Sequence, residues 1–147
     1  MPEDMPLTFR QIACPSPDYA LECALRDEVL RRPLGLRLRD EDLAAEDRQW
    51  HFGLFAADGN LVACAVALPL SPVRVKIRQM AVAPAWQAQG IGRRLMEELE
   101  RNLRARDLAA FELHARRTAT GFYQKLGYKA VGAEFFEVGI PHVKMVK

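Results

Sequence analysis

The sequence predicts an α+β fold built on a mixed sheet. Strand and helix signals alternate only in the middle of the chain, while paired strand signals stand on either side, a pattern that disfavours a doubly wound parallel sheet. Two local features anchor it: Asp58-Gly59 between two apolar runs, and Gly90 and Gly92 opening a long amphipathic helix. The 147 residues contain no repeat, low-complexity stretch or linker. One domain spanning 1–147 is expected, since single cores usually take about 100–200 residues.

The elements follow in order. The first six residues hold two prolines and two acids and are expected to form a loose end. Leu7 to Ala13 reads as a strand. Ser16-Pro17-Asp18 reads as a helix start, with serine as cap and proline in the first position. Leu21, Ala24, Leu25, Val29 and Leu30 carry the helical period up to Arg32-Pro33. Asp40 to Ala45 is expected to be a short helical piece. Trp50 to Ala56 and Leu61 to Leu68 are strands around Asp58-Gly59, whose positive φ angles suit a hairpin. The second is apolar throughout, as for a strand covered on both faces.

From Val73 to Ile77 the apolar residues hold odd positions, but Met80 and Val82 hold even ones. Either a β-bulge near Arg78-Gln79 inserts one residue, or the strand is apolar on both faces after Gln79. Pro84 ends the strand. Ile91, Leu95, Leu99 and Leu103 form one helical stripe, with Glu97–Arg101 and Glu100–Arg104 expected as pairs on its polar side. Leu108 to Ala115 is a strand. Thr118 to Leu126 is a helix closed by Gly127. Two strands, Tyr128 to Val138 and His142 to Val146, complete the chain.

Composition narrows the function. Half the residues are hydrophobic and 27% are charged, as in a soluble globular domain. The apolar run Leu61 to Leu70 is too short to cross a bilayer, which takes about 20 residues, and no signal peptide is legible. A cytoplasmic protein without a membrane partner is expected. A net charge of +2 is too weak to imply nucleic-acid binding. Cys14, Cys23 and Cys64 lack metal-ligand spacing, and His51, His114 and His142 are scattered, so neither a disulfide framework nor a metal site is expected.

The chemistry concentrates in Gln79 to Leu95. There a strand leads through a glycine-bearing loop into a helix whose first turn carries Arg93 and Arg94 rather than acids. A helix N-terminus presents unpaired N–H groups and partial positive charge, so arginine is disfavoured unless an anion joins it. Gly90 and Gly92 let a phosphate approach the backbone. The alternative is a helix start with glycines for packing and solvated arginines. A Walker loop is excluded because no lysine follows, and a dinucleotide fingerprint because Leu95 stands where its third glycine belongs.

Gln87-x-x-Gly90-x-Gly92 resembles the coenzyme A diphosphate loop, [Q/R]-x-x-G-x-[G/A], of the GNAT N-acetyltransferases. Met80-Ala81-Val82 resembles that family's pantetheine-binding strand beside a bulge. Leu113-His114-Ala115 resembles the strand that splays from it, and Phe122-Tyr123-x-x-Leu126-Gly127-Tyr128 resembles its FYxxLGF segment. Glu137-x-Gly139-Ile140-x-His142-x-x-Met145 is similar to the ending of a small bacterial subgroup. The likeness is good from about Val73 onward and faint before it. It implies an αβα sandwich: a mostly antiparallel sheet with a splayed parallel strand pair at the cofactor cleft.

The resemblance further implies acetyl-CoA as cofactor and direct transfer, in a ternary complex, to a small-molecule or peptide amine. Cofactor contacts would come from Met80, Ala81, Val82, Gln87, Ala88, Gln89, Gly90, Ile91, Gly92, Arg93, Arg94, Thr118, Phe122 and Lys125. A helix cap and a solvated lysine explain Thr118 and Lys125 equally well. Many relatives carry glycine at Ala88 and a base at Gln89; Arg93 and Arg94 are expected to compensate. Tyr123 would be the acid that protonates sulfur, being neutral at pH 7; packing with Phe122 and Leu126 is the alternative. The Val82 N–H would meet the thioester oxygen.

No base announces itself. Glu137 and His142 lead, then His114, with Asp47 and His51 behind. Trp50, Trp86, Phe135 and Phe136 are candidates to line an apolar cleft or the core. A non-catalytic coenzyme A-binding module and a ligand-free interaction domain stay open, and a homodimer is compatible on general grounds.

Overall fold

A computed structural model describes residues 6–147. Seven strands form one sheet in the order β1-β2-β3-β4-β5-β7-β6. They are β1 (Leu7–Ile12), β2 (Trp50–Ala56), β3 (Leu61–Pro69), β4 (Arg74–Val82), β5 (Ala110–Arg116), β6 (Lys129–Glu137) and β7 (Ile140–Val146). Among the described residues only β4 and β5 pair in parallel. The α-helices are α1 (Pro17–Arg26), α2 (Ile91–Arg104) and α3 (Thr120–Lys125). The expected mixed sheet is therefore present. The loose end expected over the first six residues falls, Pro6 apart, outside the described residues.

Helices cover both faces. Ile91, Leu95, Leu99 and Leu103 of α2 are buried with Phe52, Val75, Ile77 and Phe111 in the larger core, which α3 joins through Tyr123. Leu25 of α1 packs with Cys64 and Ala81 in a smaller core on the other face. Residues 62–67 of β3 are wholly buried, as the unbroken apolar run predicts.

The β-bulge is real. Val66 faces Arg78 and Cys64 faces Ala81, so three steps of β4 oppose two of β3. Gln79 takes φ 55° to fit the extra residue. Val75 and Ile77 before the bulge, and Met80 and Val82 after it, consequently all pack against the α2-side core, while Ala81 faces α1. The change from odd to even positions is the trace of that insertion.

Several local expectations are corrected. Residues 41–45 are not helical; short 3-10 turns, Leu38–Asp40 and Glu46–Arg48, flank them. After Arg26 the first helix continues as a π-turn, Asp27–Arg31, and then as a 3-10 turn. On α2, Glu97 pairs with Arg93 rather than Arg101. Glu100 keeps Arg104 at 3.4 Å but lies buried, accepting from the Tyr128 hydroxyl and the Lys147 amine, both at 2.7 Å. Leu21, expected on the buried stripe of α1, is exposed.

The buried face of α1 instead carries charge. Glu22 and Arg26 are fully buried, with Glu46 and His51 beside them. Arg26 donates to Glu22 at 2.8 Å and by two bonds of 2.8 Å to Glu46, which also accepts from the Tyr19 hydroxyl at 2.6 Å. His51 sets Nδ1 2.8 Å from the Glu22 carboxylate and Nε2 2.8 Å from the Glu46 carbonyl. Both ring nitrogens meet acceptors, so His51 is an imidazolium and the two cations balance two carboxylates. Glu22, Glu46 and His51 also hold metal-ligand atoms within 4.8 Å of one another, but the Arg26 guanidinium already bridges the carboxylates.

Burial works against the His51 charge, but the hydrogen bond and the charge of Glu22 outweigh it and raise its pKa above the usual value. Burial likewise opposes the charge of Glu46, yet Arg26 and Tyr19 hold it down to about 2. A raised histidine stabilises the fold fully below about pH 6.5, and that contribution disappears as pH rises through the folded-state value. Unfolding free energy measured in urea is therefore expected to fall on the alkaline side of about pH 6.5. The slope should flatten in His51→Gln; an unchanged slope would show His51 neutral in the fold.

Candidate active site

Pairing between β4 and β5 runs from Arg74↔Ala110 to Ile77↔Leu113 and then stops. The bulge at Gln79 turns β4 away while β5 continues to Arg116. The two strands diverge around a cleft of about 480 Å³, whose lining includes Gln79, Met80, Arg116, Tyr123, Glu137 and His142. The divergence also frees backbone. Ala83 N–H bonds to Val62 O on β3 at 2.8 Å, so by strand alternation the Val82 N–H points the other way, toward the side β5 has left.

The loop that follows β4 is shaped for a ligand backbone. Ala88 takes φ 60° and Gly90 φ 80°, and a Cβ on Gly90 would meet nothing within 4 Å. The requirement for positive φ at Ala88 explains why glycine suits that position. No side chain caps the first turn of α2, and no acid lies in it, so its N–H groups are available to an anion. The Gln87 amide donates to Val82 O at 3.0 Å and that of Gln89 to Ala85 O at 3.1 Å, which holds the loop against the strand end.

The remaining loop residues divide. Ile91 is buried, leaving only its backbone for a ligand. A Cβ on Gly92 would lie 3.2 Å from Phe122 Cζ, so this glycine lets α2 close on α3. Arg94 donates to Leu7 O at 3.2 Å and lies 3.5 Å from Glu98. Arg93, exposed and only 3.7 Å from Glu97, is the arginine left to meet an anion. Thr118 is exposed and does not cap α3, and Lys125 is exposed.

Tyr123 is 8% exposed, edge-on to Phe122 and Tyr128, and its hydroxyl has no protein partner among the described residues. Burial pushes its pKa up to about 12, with Arg116 pulling the other way, so the phenol stays neutral across the physiological range.

Glu137 ends β6 at a two-residue turn, Val138-Gly139, with φ 47° and 80°. The turn folds its carboxylate back onto two histidines. His114 Nδ1 lies 2.9 Å from Oε1, and His142 Nε2 lies 3.8 Å from Oε2. His142 donates Nδ1–H to Ile140 O at 2.9 Å, which leaves Nε2 facing Glu137. Partial burial would raise the Glu137 carboxyl, but the His114 hydrogen bond and the charges of His114, His142 and Lys76 hold it below its ordinary value. The fold thus brings the three leading base candidates, Glu137, His142 and His114, together at the cleft. His51 is sealed in the buried quartet and Asp47 is exposed, and neither lines this cleft.

Of the aromatics, Phe135 stacks on His142 and meets His114 edge-on, but Phe136 is 73% exposed. Trp50 and Trp86 pack against the larger core. Arg31, Arg116 and Lys76, which are not among the site residues expected from sequence, also line the cleft. They lie in three separate elements far apart in sequence, and only the fold brings them together.

The comparisons agree with this geometry. A model of the acetyltransferase (GNAT) domain matches residues 38–147. A Bacillus subtilis N-acetyltransferase that is itself uncharacterised is 27% identical over 124 residues, covering 84% of this chain and 87% of its own length. Two other Bacillus subtilis relatives are 38% identical over 72 residues, about half of each chain (49%). Among solved structures, a Lactobacillus plantarum chain shares the fold with a TM-score of 0.86 and 23% identity, over 96% of this chain and 97% of that one. An acyl-CoA N-acyltransferase from Pseudomonas aeruginosa aligns with a TM-score of 0.77 and 25% identity, over 98% and 99% of the two chains. Among the described residues no helix is long and apolar enough to cross a membrane.

Proposed function

Since this chain belongs to the GNAT acetyltransferase family, we propose that it transfers an acetyl group from acetyl-CoA directly to an amine held in the same cleft. The observation that carries the reading is the divergence of β4 from β5 beyond Ile77 and Leu113, beside a loop with open backbone at Gly90. The cleft admits an extended arm between the strands, and the loop offers N–H groups to a diphosphate. Acetyl-CoA supplies a thioester carbon that an amine can attack.

The chain's own groups then divide the work. Gly90, Gly92 and the first turn of α2, with Arg93, take the diphosphate, while Met80, Ala81 and Val82 present backbone to the arm. The Val82 N–H stabilises the oxygen that gains charge. Glu137 draws the acceptor's ammonium into place, and the proton leaves toward the Glu137–His142 pair. Tyr123 holds a proton for the departing sulfur. A thiol near pKa 8.5 in water would not take a proton from a phenol near 12, but burial disfavours a thiolate as it does a phenolate. Transfer to sulfur is therefore favoured only while the cleft excludes water. Release of coenzyme A thiol that depends on added amine tests the reading. Binding without amine-dependent release would leave a non-catalytic coenzyme A-binding module.

A further inference from the structure

The cleft carries four cationic side chains, Arg31, Lys76, Arg78 and Arg116, against two carboxylates, Glu41 and Glu137. None of its lining residues belongs to the 87–92 loop, so this charge is separate from the proposed diphosphate site. Arg31 and Arg116 converge on one atom: Arg31 Nη1 donates to Leu30 O at 3.1 Å and Arg116 Nη2 donates to the same oxygen at 2.8 Å. Glu41 neutralises Arg31. Arg116 has no carboxylate partner among the described residues, and burial, then Arg31, lowers its pKa. Two guanidinium groups on one carbonyl, with a carboxylate on Arg31 alone, leave the positive charge of Arg116 at the cleft.

The same cleft holds complementary acceptors. The Oε1 of Gln79, at the bulge, is buried without a partner. Glu137 contributes a carboxylate at the hairpin tip. An unpaired buried amide oxygen suits an N–H donor, and a guanidinium without a carboxylate partner suits a carboxylate, which its N–H groups not taken by Leu30 O can bind. We infer that the acceptor is an amine carrying a carboxylate, with its nitrogen toward Gln79 and Glu137 and its carboxylate on Arg116 beside Arg31. Arg116 then sets specificity, held by the Leu30 carbonyl it shares with Arg31. This inference rests on the acetyl-transfer reading.

The test is a matched panel of L-leucine against isoamylamine, L-phenylalanine against phenethylamine, and L-lysine against cadaverine, read as kcat/KM by thiol release from acetyl-CoA. Within at least one pair the acid should be preferred by about ten- to a hundredfold, the value of a charge-assisted contact. Arg116→Gln should collapse that preference, and Arg116→Lys, which keeps charge but loses the fork, should restore part of it. KM for acetyl-CoA should stay unchanged in both. A preference ratio within one protein does not move when a variant merely loses stability. Equal or better use of the decarboxylated amines, a preference that survives Arg116→Gln, or use of no acid while acetyl-CoA binds would each overturn the inference. Failure of acetyl-CoA itself to bind would remove the transfer reading beneath it.

Discussion

Replacing Tyr123 with phenylalanine is expected to lower kcat by about 10²–10⁴-fold, the usual worth of a positioned acid, with acetyl-CoA affinity nearly unchanged. The substitution is clean because the Tyr123 hydroxyl has no protein partner among the described residues, so its loss orphans no protein group. The ring, edge-on to Phe122 and Tyr128, keeps its packing. A fall in kcat and kcat/KM together marks an interaction made only in the transition state. Steady-state rates beside calorimetric binding separate the two quantities. Full turnover in the variant would reduce Tyr123 to a packing residue.

Replacing Arg26 with methionine should cost about 3–5 kcal/mol, the penalty for leaving buried charges unpaired. Arg26 donates to both Glu22 and Glu46, and all three are buried. Without it, Glu22 would keep only the His51 imidazolium, and Glu46 only the partly exposed Arg78 at 3.7 Å and the Tyr19 hydroxyl. Total stability for a domain is about 5–15 kcal/mol, so such a loss would leave the fold marginal. Exchanging Glu22, Arg26, Glu46 and His51 together for apolar residues of similar volume should cost far less, because no charge is then stranded. Urea denaturation of the two variants distinguishes a balanced network from four independent residues. Equal losses would contradict the balance.

Most of the fold was legible because its signals are local. The Ser16-Pro17 start is confirmed down to the Ser16 hydroxyl accepting from the Tyr19 N–H. The α2 stripe and the Asp58-Gly59 turn needed only periodicity and positive φ. The parity change around Gln79 revealed the bulge, although periodicity could not exclude a strand apolar on both faces. What escaped was long-range charge pairing. Glu22 and Arg26 fall outside the apolar stripe that marks α1 in sequence, and their partners Glu46 and His51 lie 20 or more residues away. Glu100 misled for the same reason: Tyr128 and Lys147 satisfy it from the end of the chain.

The candidate site was legible in part. Loop 87–92, Tyr123 and the Glu137–His142 pair each sit in a motif with recognisable spacing. The Arg31–Arg116 pair does not. It depends on a π-turn ending α1 opposite the end of β5, and neither residue signals the other in sequence.

The central claim, that the splayed β4–β5 cleft and its glycine loop form a coenzyme A site, is tested most directly by calorimetric titration with acetyl-CoA. The native protein should bind saturably, one molecule per chain. A folded double variant, Gly90→Val with Gly92→Val, should not bind, because valine is strained at φ 80° and a Cβ at Gly92 presses on Phe122. Absence of binding in the native protein at near-millimolar cofactor, or equal binding by both proteins, would contradict the account.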